Sequence, residues 1–476
     1  MKVTCHALRQ WGVALLVSAA VAGCSEPVTS SLRRPSVPTA ASLARLGISA
    51  SDRHVFMFNG DIPADFAERI TERGGTVLIS QPEIGMVQVS GLMDVDAAFL
   101  ARGRGDVARD YVGQWVPSPD QASVAMQSFA TPTEPSSAQR PQLALGLSAQ
   151  WNMFQIHAPE AWNLYTGKPT VRVAILDSGL DPDHLDQRGL IDVAASKAFV
   201  ASTSVGSPPW ADDFFHGTYV GGQVTSNNIV LAGVAPDVTL IAVKVLGATG
   251  GGDIFTTIAG IVYATNVGAQ VINMSLGVTL PKQAPGAQFF HMAMTRAVNY
   301  AKSHGVLVVS ASGNDGRDLQ TANAYISLPC EAGVQLCISA TGPGNTFASY
   351  SNYGTNAINV AAPGGGETPP QFVFGLCSSK TNFPVLLACK TPPGVTGTRY
   401  ISANGTSGAA PHVSGLAALL DSQFGPLGGE LNASQLLTLI QQNADDLGKP
   451  GSDPFFGKGQ INVFRTLTTA APPPTP

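Results

Sequence analysis

The sequence contains few charged residues and no run of basic ones. Only 12% of its 476 residues are Asp, Glu, Lys or Arg, about half of the usual share. Lysine and arginine total 27 against 32 acidic residues, so the net charge is −5. This composition argues against intrinsic disorder and a coiled coil, and we expect no nucleic-acid partner.

Long apolar runs are also scarce, and one stretch at the N-terminus is the exception. It extends from Trp11 to Ala22 and follows the basic residues Lys2 and Arg9. The run is too short and too rich in alanine for a membrane-spanning helix, and it is typical of a secretory signal peptide.

The end of this run resembles the lipobox of bacterial lipoproteins, because small residues precede Cys24. We therefore predict a signal peptide over residues 1–23 and acylation of Cys24; ordinary signal cleavage nearby is the alternative. Ser25 is compatible with sorting to the outer membrane. We expect an exported protein, either an outer-membrane lipoprotein of the cell envelope or extracellular after processing, with membrane contact only through that lipid.

Cysteine is rare, with six residues in the chain and no CxxC or Cys/His spacing typical of zinc. Cys5 leaves with the signal peptide. The remaining four residues allow three disulfide pairings, and we predict the pairing between sequence neighbours because export favours disulfides. The predicted bonds are Cys330–Cys337 and Cys377–Cys389.

Glycine and proline are abundant, with 51 and 34 residues, and their distribution helps to divide the chain. Segments rich in Ser, Pro and Ala predict linkers, and apolar periodicity predicts folded units. The predicted divisions are a signal peptide (1–23), a flexible tether (24–53), a small domain (54–116), a second linker (117–149), a large domain (150–466) and a Pro-rich tail (467–476).

The two folded units have different patterns. Residues 54–116 give the order βαββαβ, starting with a strand at His54–Phe58, which predicts a ferredoxin-like α+β domain. Residues 150–466 alternate near-continuous apolar strands with helices, including one near Ile254–Asn266. Such strands are buried on both faces, so the large domain is predicted to be α/β with a parallel sheet covered by helices on both faces.

Three polar residues are placed where the large domain can use them for chemistry. Asp177 ends an apolar strand, and parallel sheets bind ligands at that end of their strands. His216 is followed by small residues, and Ser407 opens an Ala/Gly/Leu-rich helix. Taken alone, each could be an ordinary structural residue: a capping or turn aspartate, a structural histidine or an N-cap serine. Together they supply a nucleophile, a base and an orienting carboxylate.

Longer motifs surround each of these residues: Ala174-Ile-Leu-Asp-Ser-Gly179, His216-Gly-Thr218, and Gly405-Thr-Ser407 with Pro411-His-Val413. With these motifs, residues 150–466 resemble the subtilisin-like serine peptidases. The resemblance implies a serine endopeptidase with the triad Asp177, His216 and Ser407, which acts on proteins or peptides. It implies no cofactor for the chemistry.

The resemblance assigns further residues. Asn314, in Val308-Val-Ser-Ala-Ser-Gly-Asn314, matches the family's oxyanion-hole asparagine. Ser275, Leu276 and Gly277 match one wall of the substrate cleft, and Gly250 matches the edge that pairs with the substrate backbone. Because these walls carry no obvious charge, we expect broad specificity with an uncharged residue before the scissile bond.

The sequence also departs from the family pattern. Tyr219 replaces a second histidine, Gly408 replaces a methionine, and the family's cis-proline turn is not clearly matched around 325–327. Asp186 and Asn227 match calcium ligands, but the loop at 225–231 is short. Structural Ca²⁺ and a metal-free solvated turn both remain open.

The small domain resembles the inhibitory propeptides of this family. It is therefore expected to inhibit the enzyme within the same chain until self-cleavage in 117–149; a permanent binding domain is the alternative. A catalytically silent, peptide-binding relative is the alternative for the whole protein. The presence of all four residues of the triad and oxyanion site favours the enzyme.

Overall fold

The computed structural model describes residues 38–117, 124–129, 140–321, 324–390, 397–425 and 431–469. The predicted signal peptide, Cys24 and the tail beyond residue 469 lie outside them. The N-terminal elements are α1 (Ala40–Ala44), β1 (Ile48–Phe58), α2 (Phe66–Thr71), β2 (Thr76–Gln81), β3 (Met86–Ser90), α3 (Asp94–Ala101) and β4 (Gly105–Gln114). The elements that follow are β5 (Val124–Phe129), α4 (Trp151–Gln155), α5 (Ala158–Ala161), β6 (Arg172–Asp177), β7 (Lys197–Ala198), α6 (His216–Val224), β8 (Thr239–Lys244), β9 (Gly251–Asp253), α7 (Ile254–Asn266), β10 (Val271–Met274), β11 (Val278–Pro281), α8 (Ala287–Ser303), β12 (Leu307–Ala311), β13 (Tyr325–Leu328), β14 (Leu336–Thr341), β15 (Val360–Pro363), β16 (Val373–Leu376), β17 (Gly397–Ala403), α9 (Thr406–Phe424), α10 (Ala433–Gln442) and α11 (Val463–Thr469).

The small domain is ferredoxin-like, as predicted. Its strands are antiparallel in the order β2-β3-β1-β4, and α2 and α3 follow β1 and β3 in the chain. The core contains three phenylalanine rings: Phe66 meets Phe56 and Phe58 edge to face at centroid distances of 5.0 and 4.9 Å. Edge-to-face contact is one of the arrangements that the quadrupoles of aromatic rings favour.

The tether prediction is wrong for residues 38–53, because α1 and the first half of β1 lie there. The side chains of Leu43 and Ile48 are buried. The Gly47 carbonyl accepts a hydrogen bond from the Gln114 amide at 2.8 Å. Burial of apolar side chains and pairing to the end of β4 order this segment, although its composition is that of a linker.

The large domain is built on a seven-stranded sheet in the order β15-β14-β12-β10-β6-β8-β7, and every pairing in it is parallel. The residues of β10, β12, β14 and β15 are all buried. Because alternate side chains of a strand point to opposite faces, the sheet must be covered on both sides, as predicted.

The two domains are joined through their strands. β4 of the small domain pairs with β9 of the large one, so β9 becomes the fifth strand of the ferredoxin-like sheet. β5 lies within the predicted linker at 117–149 and pairs antiparallel with β17. Part of this linker is therefore a strand, because the edge of β17 offers backbone partners that the sequence does not reveal.

Both predicted disulfides are present: Cys330 is bonded to Cys337, and Cys377 to Cys389. In the described part of the chain, we find no helix with the length and apolar character needed to cross a membrane.

Candidate active site

Asp177 and His216 form a buried pair. Asp177 is the last residue of β6, and His216 is the first residue of α6. Both carboxylate oxygens lie 2.9 Å from Nδ1 of His216, and the Ser178 amide donates to Oδ1 of Asp177 at 2.7 Å. Asp177 has no exposed surface and His216 only 5%. The carboxylate therefore fixes the ring and directs Nε2 away from β6.

A polar network fixes the start of α6 relative to the end of β6. Asp212 accepts hydrogen bonds from the Ser178 hydroxyl at 2.8 Å and from the Thr218 amide and hydroxyl at 2.9 and 2.6 Å. Burial raises the pKa of Asp212 to about 6, against the lowering effect of Lys244 and of these hydrogen bonds. Buried Lys244 pairs with Asp213 at 2.7 Å. These buried bonds thus fix the relative positions of Asp177 and His216.

Ser407 lies in the first turn of α9, where its backbone N–H has no intrahelical partner. The turn before it uses Gly405 at φ +146°, a conformation that disfavours side chains. The Ser407 hydroxyl donates to the Ser275 carbonyl at 3.0 Å, and the Ser275 hydroxyl donates to the Ser407 carbonyl at 2.9 Å. Among the described residues, no hydrogen bond joins the Ser407 hydroxyl to His216.

His216, Ser407 and Asn314 line one cavity of about 270 Å³. Oδ1 of Asn314 accepts from the amide and the hydroxyl of Thr406 at 2.8 and 2.9 Å. Because the oxygen is engaged, the NH₂ group of Asn314 is the end of the amide that can face the cavity. The sequence analysis did not predict this role of Thr406, since a threonine at the start of a helix gives no signal of it.

Tyr350 is a second residue that the sequence analysis missed. Its hydroxyl accepts from the Gly405 amide at 3.1 Å and donates to the Gly365 carbonyl at 2.7 Å. It therefore ties the turn before Ser407 to the loop after β15.

The predicted substrate-binding glycines contact the chain's own backbone. The Gly250 carbonyl accepts from the amides of Trp115 and Val116 at 3.1 and 3.2 Å, and the Gly277 amide donates to the Trp115 carbonyl at 3.2 Å. Pro117, the last described residue of this segment, lines both cavities that Ser407 lines. The end of the small domain is thus bonded through its backbone to Gly250 and Gly277 and reaches the two cavities that Ser407 lines.

The second of these cavities measures about 360 Å³, and its lining includes Leu276 and Gly277, two of the predicted substrate-binding residues. The sequence analysis missed two charged residues in its wall, Asp315 and Arg317, whose side chains lie 3.9 Å apart. It also missed the position of the cis-proline, which follows Leu328 in the same wall.

The predicted calcium ligands do not fit a metal. Asp186 is fully buried, and its oxygens accept from the amides of Ile229, Val230 and Leu231 and from the Tyr400 hydroxyl. The amide of the Asn227 side chain donates to two carbonyls. N–H donors surround the carboxylate where Ca²⁺ requires oxygen ligands. Within the described ranges, no cluster of three His, Cys, Asp or Glu residues could hold a metal ion.

Comparison with known proteins identifies one family for the larger part of the chain. The model of the subtilase family matches residues 168–459. Subtilisin Savinase of Lederbergia lenta is 34% identical over 318 residues, which are 66% of this chain and 97% of that protein.

Among solved structures, a lanthipeptide protease is 31% identical with a TM-score of 0.58, covering 71% of this chain and 99% of its own. An epidermin leader peptide processing serine protease from Staphylococcus aureus covers 89% of this chain and 99% of its own, with a TM-score of 0.67. Its 20% identity supports a common fold only.

Proposed function

Because the chain belongs to the subtilase family of serine peptidases, we propose that it is a serine endopeptidase that hydrolyses peptide bonds through Asp177, His216 and Ser407. The observation that carries this proposal is the buried Asp177–His216 pair, which opens onto the cavity that Ser407 lines. Subtilases need no cofactor for this chemistry, since side chains and backbone amides supply the nucleophile, the base and the oxyanion donors.

In the proposed reaction, the Ser407 hydroxyl turns from the Ser275 carbonyl towards Nε2 of His216. Its oxygen attacks the substrate carbonyl while Nε2 takes the proton, and Asp177 stabilises the imidazolium that forms. The same proton then passes to the leaving amine, and water hydrolyses the acyl-enzyme. The NH₂ group of Asn314 and the Ser407 amide donate to the oxyanion, a contribution of about 10²–10³ in kcat for one such donor.

We further propose that residues 54–116 are an inhibitory propeptide and that the enzyme cuts its own chain. Support comes from Trp115 and Val116, which pair with both walls of the cleft, and from Pro117, which lines a cavity together with Ser407. Val124, at the start of β5, lines the same cavity. The proposed processing bond therefore lies between Pro117 and Val124, within the predicted range of 117–149.

The test compares full-length wild type with Ser407→Ala and with Ser434→Ala, an exposed serine of α10. Purified wild type and Ser434→Ala should convert to a shorter form whose N-terminus lies in 118–124. Ser407→Ala should remain full length and hydrolyse no peptide. Maturation of purified Ser407→Ala would assign the cut to another residue or protease.

A catalytically silent, peptide-binding protein is the second candidate. It is favoured by the backbone pairing at Gly250 and Gly277, which needs no chemistry. Under this reading, wild type and Ser407→Ala would both remain uncut and would bind extended peptides equally well.

The proposed substrates are proteins or peptides, with broad specificity and an uncharged residue before the scissile bond. Asp315 and Arg317 partly neutralise each other in the cavity wall, which supports this preference. Export, acylation of Cys24 and a place in the cell envelope or outside the cell rest on the sequence pattern alone. Mass spectrometry of the exported precursor and mature forms tests all three.

A further inference from the structure

The side chain of Tyr219 extends from α6, the helix that carries the proposed base, to α9, the helix that carries the proposed nucleophile. It follows His216 by one turn of α6, and its side chain is buried with 2% exposure. It lines the cavity that His216 and Ser407 share. It takes no part in the mechanism described above, so the presence of a buried phenol beside the proposed catalytic residues needs another explanation.

The Tyr219 hydroxyl occupies the place where a side chain at position 408 would begin. A Cβ atom added to Gly408 would lie 2.8 Å from that oxygen, closer than real Cβ contacts. Its next neighbours, in Gly364, would be 3.7 and 3.8 Å away, which is ordinary contact. The phenol oxygen is thus the one close contact that a Cβ atom directly after Ser407 would meet among its three nearest neighbours.

One edge of the phenol ring packs closely against β16. A Cβ atom on Gly375, in β16, would lie 2.2 Å from Cδ2 of Tyr219 and 2.6 Å from Cε2. The hydroxyl lies 3.5 Å from the Ala403 carbonyl at the end of β17. The ring therefore lies between β16 and the first turn of α9, and we expect a side chain at position 408 to displace that turn.

We propose that Tyr219 is a positioning residue that sets the spacing between α6 and α9, and with it the distance from Nε2 of His216 to the Ser407 hydroxyl. This inference rests on the proposed function. It also unites two departures from the family pattern, because Tyr219 and Gly408 fill one space between them. A larger residue at 219 accompanies the smallest residue at 408.

A double-mutant cycle tests the proposal with Gly408→Ala, Tyr219→Phe and the two combined. Gly408→Ala should lower kcat about 100-fold, the scale expected for a misplaced reacting group, with little change in KM. Tyr219→Phe removes the obstructing oxygen but keeps the ring. The combined variant should therefore regain at least about tenfold in kcat over Gly408→Ala, a coupling typical of residues in contact.

Tyr350→Phe combined with Gly408→Ala is the matched control. It removes the phenol oxygen of half-buried Tyr350, which lines the same cavity but is not among the nearest atoms to a Cβ at position 408. Because that oxygen accepts from the Gly405 amide, its loss should lower kcat further and give no recovery. The rate of sulfonylation by phenylmethanesulfonyl fluoride reports on Ser407 and His216 without peptide binding, and it should follow kcat through the cycle. If Gly408→Ala fails to mature, maturation of the combined variant replaces kcat as the readout.

Wild-type activity in Gly408→Ala, or equal recovery with Tyr350→Phe, would overturn the proposal. Independent, additive effects of Tyr219→Phe and Gly408→Ala would do the same. These outcomes differ from failure of the proposed function, in which wild type itself hydrolyses no peptide and reacts with no sulfonyl fluoride.

Discussion

Asp177 and Asp186 are two fully buried carboxylates on the same stretch of chain, and they have opposite surroundings. Asp177 faces the imidazole of His216, a group that can change its charge. Asp186 faces the amides of loop residues 229–231 and the Tyr400 hydroxyl, groups whose charge is fixed under ordinary conditions.

The comparison shows that the partner decides the role of a buried carboxylate. A carboxylate beside a titratable base can stabilise a charge that appears during a reaction. A carboxylate surrounded by backbone amides is satisfied already and serves to fix a loop. Asp186 thus fixes the loop through its backbone amides.

The largest effect that we expect is on activity, from Asp177→Asn. The amide would hold His216 in the wrong tautomer, and kcat should fall by about 10⁴, the loss known for the equivalent change in another serine protease. The thermal unfolding midpoint should stay within a few degrees of the wild-type value. A near-wild-type kcat would remove Asp177 from the triad and end the contrast with Asp186.

Asp110 sharpens the comparison, because it is a buried carboxylate that lies near a second negative charge, the carboxylate of Asp253. It lies in β4 and accepts from the Gln88 side chain at 2.7 Å and from the Phe255 amide at 3.4 Å. Burial, together with the negative charge of Asp253 in β9, raises the pKa of Asp110 from 3.8 to about 7. Arg53 of β1 pairs with Asp253.

The Asp110 carboxyl binds its proton more tightly in the folded precursor than in the unfolded chain. The free energy of unfolding should therefore fall as the pH rises from about 4 to about 7, and it should stay constant above that value. The loss should reach a few kcal/mol. Urea unfolding of the uncut Ser407→Ala precursor at several pH values measures it. Asp110→Asn in that background should flatten the profile; an unchanged profile would assign the pH dependence to another group.

A smaller effect, on stability, is expected from Asp186→Asn. Its NH₂ group would face backbone N–H donors, so we expect a loss of about 3 kcal/mol in the free energy of unfolding. The folded fraction should keep its kcat. Asp183→Asn is the control, since it makes the same chemical change in a side chain that is 60% exposed. Equal losses in both variants would contradict the role of Asp186.

The smallest expected effect is that of a chelator. A bound structural ion at 100 times its Kd stabilises a fold by about 2.7 kcal/mol, so its removal lowers the unfolding midpoint by several degrees. Because Asp186 and Asn227 are engaged with protein groups, EDTA should shift the midpoint by less than about one degree. A larger fall, reversed by added Ca²⁺, would show a calcium site elsewhere in the chain.

Much of the large domain could be predicted because its signals are local. The helix predicted near 254–266 is α7 with the same bounds, and the residues of the proposed triad end or begin elements where the apolar pattern changes. The small domain followed from the order of its elements. β5 could not be predicted, since Ser, Pro, Gln and Ala surround it and its partner, β17, lies more than 250 residues away.

The sequence by itself determined many of the strands and helices and the identity of the groups that can react, because apolar periodicity and residue chemistry are local properties. Tertiary structure alone decided which groups meet. It surrounded Asp186 with amides, laid Trp115 and Val116 in the cleft and set the Tyr219 hydroxyl against Gly408. These contacts join residues distant in the chain, and their energies depend on distance and burial, which no local pattern encodes.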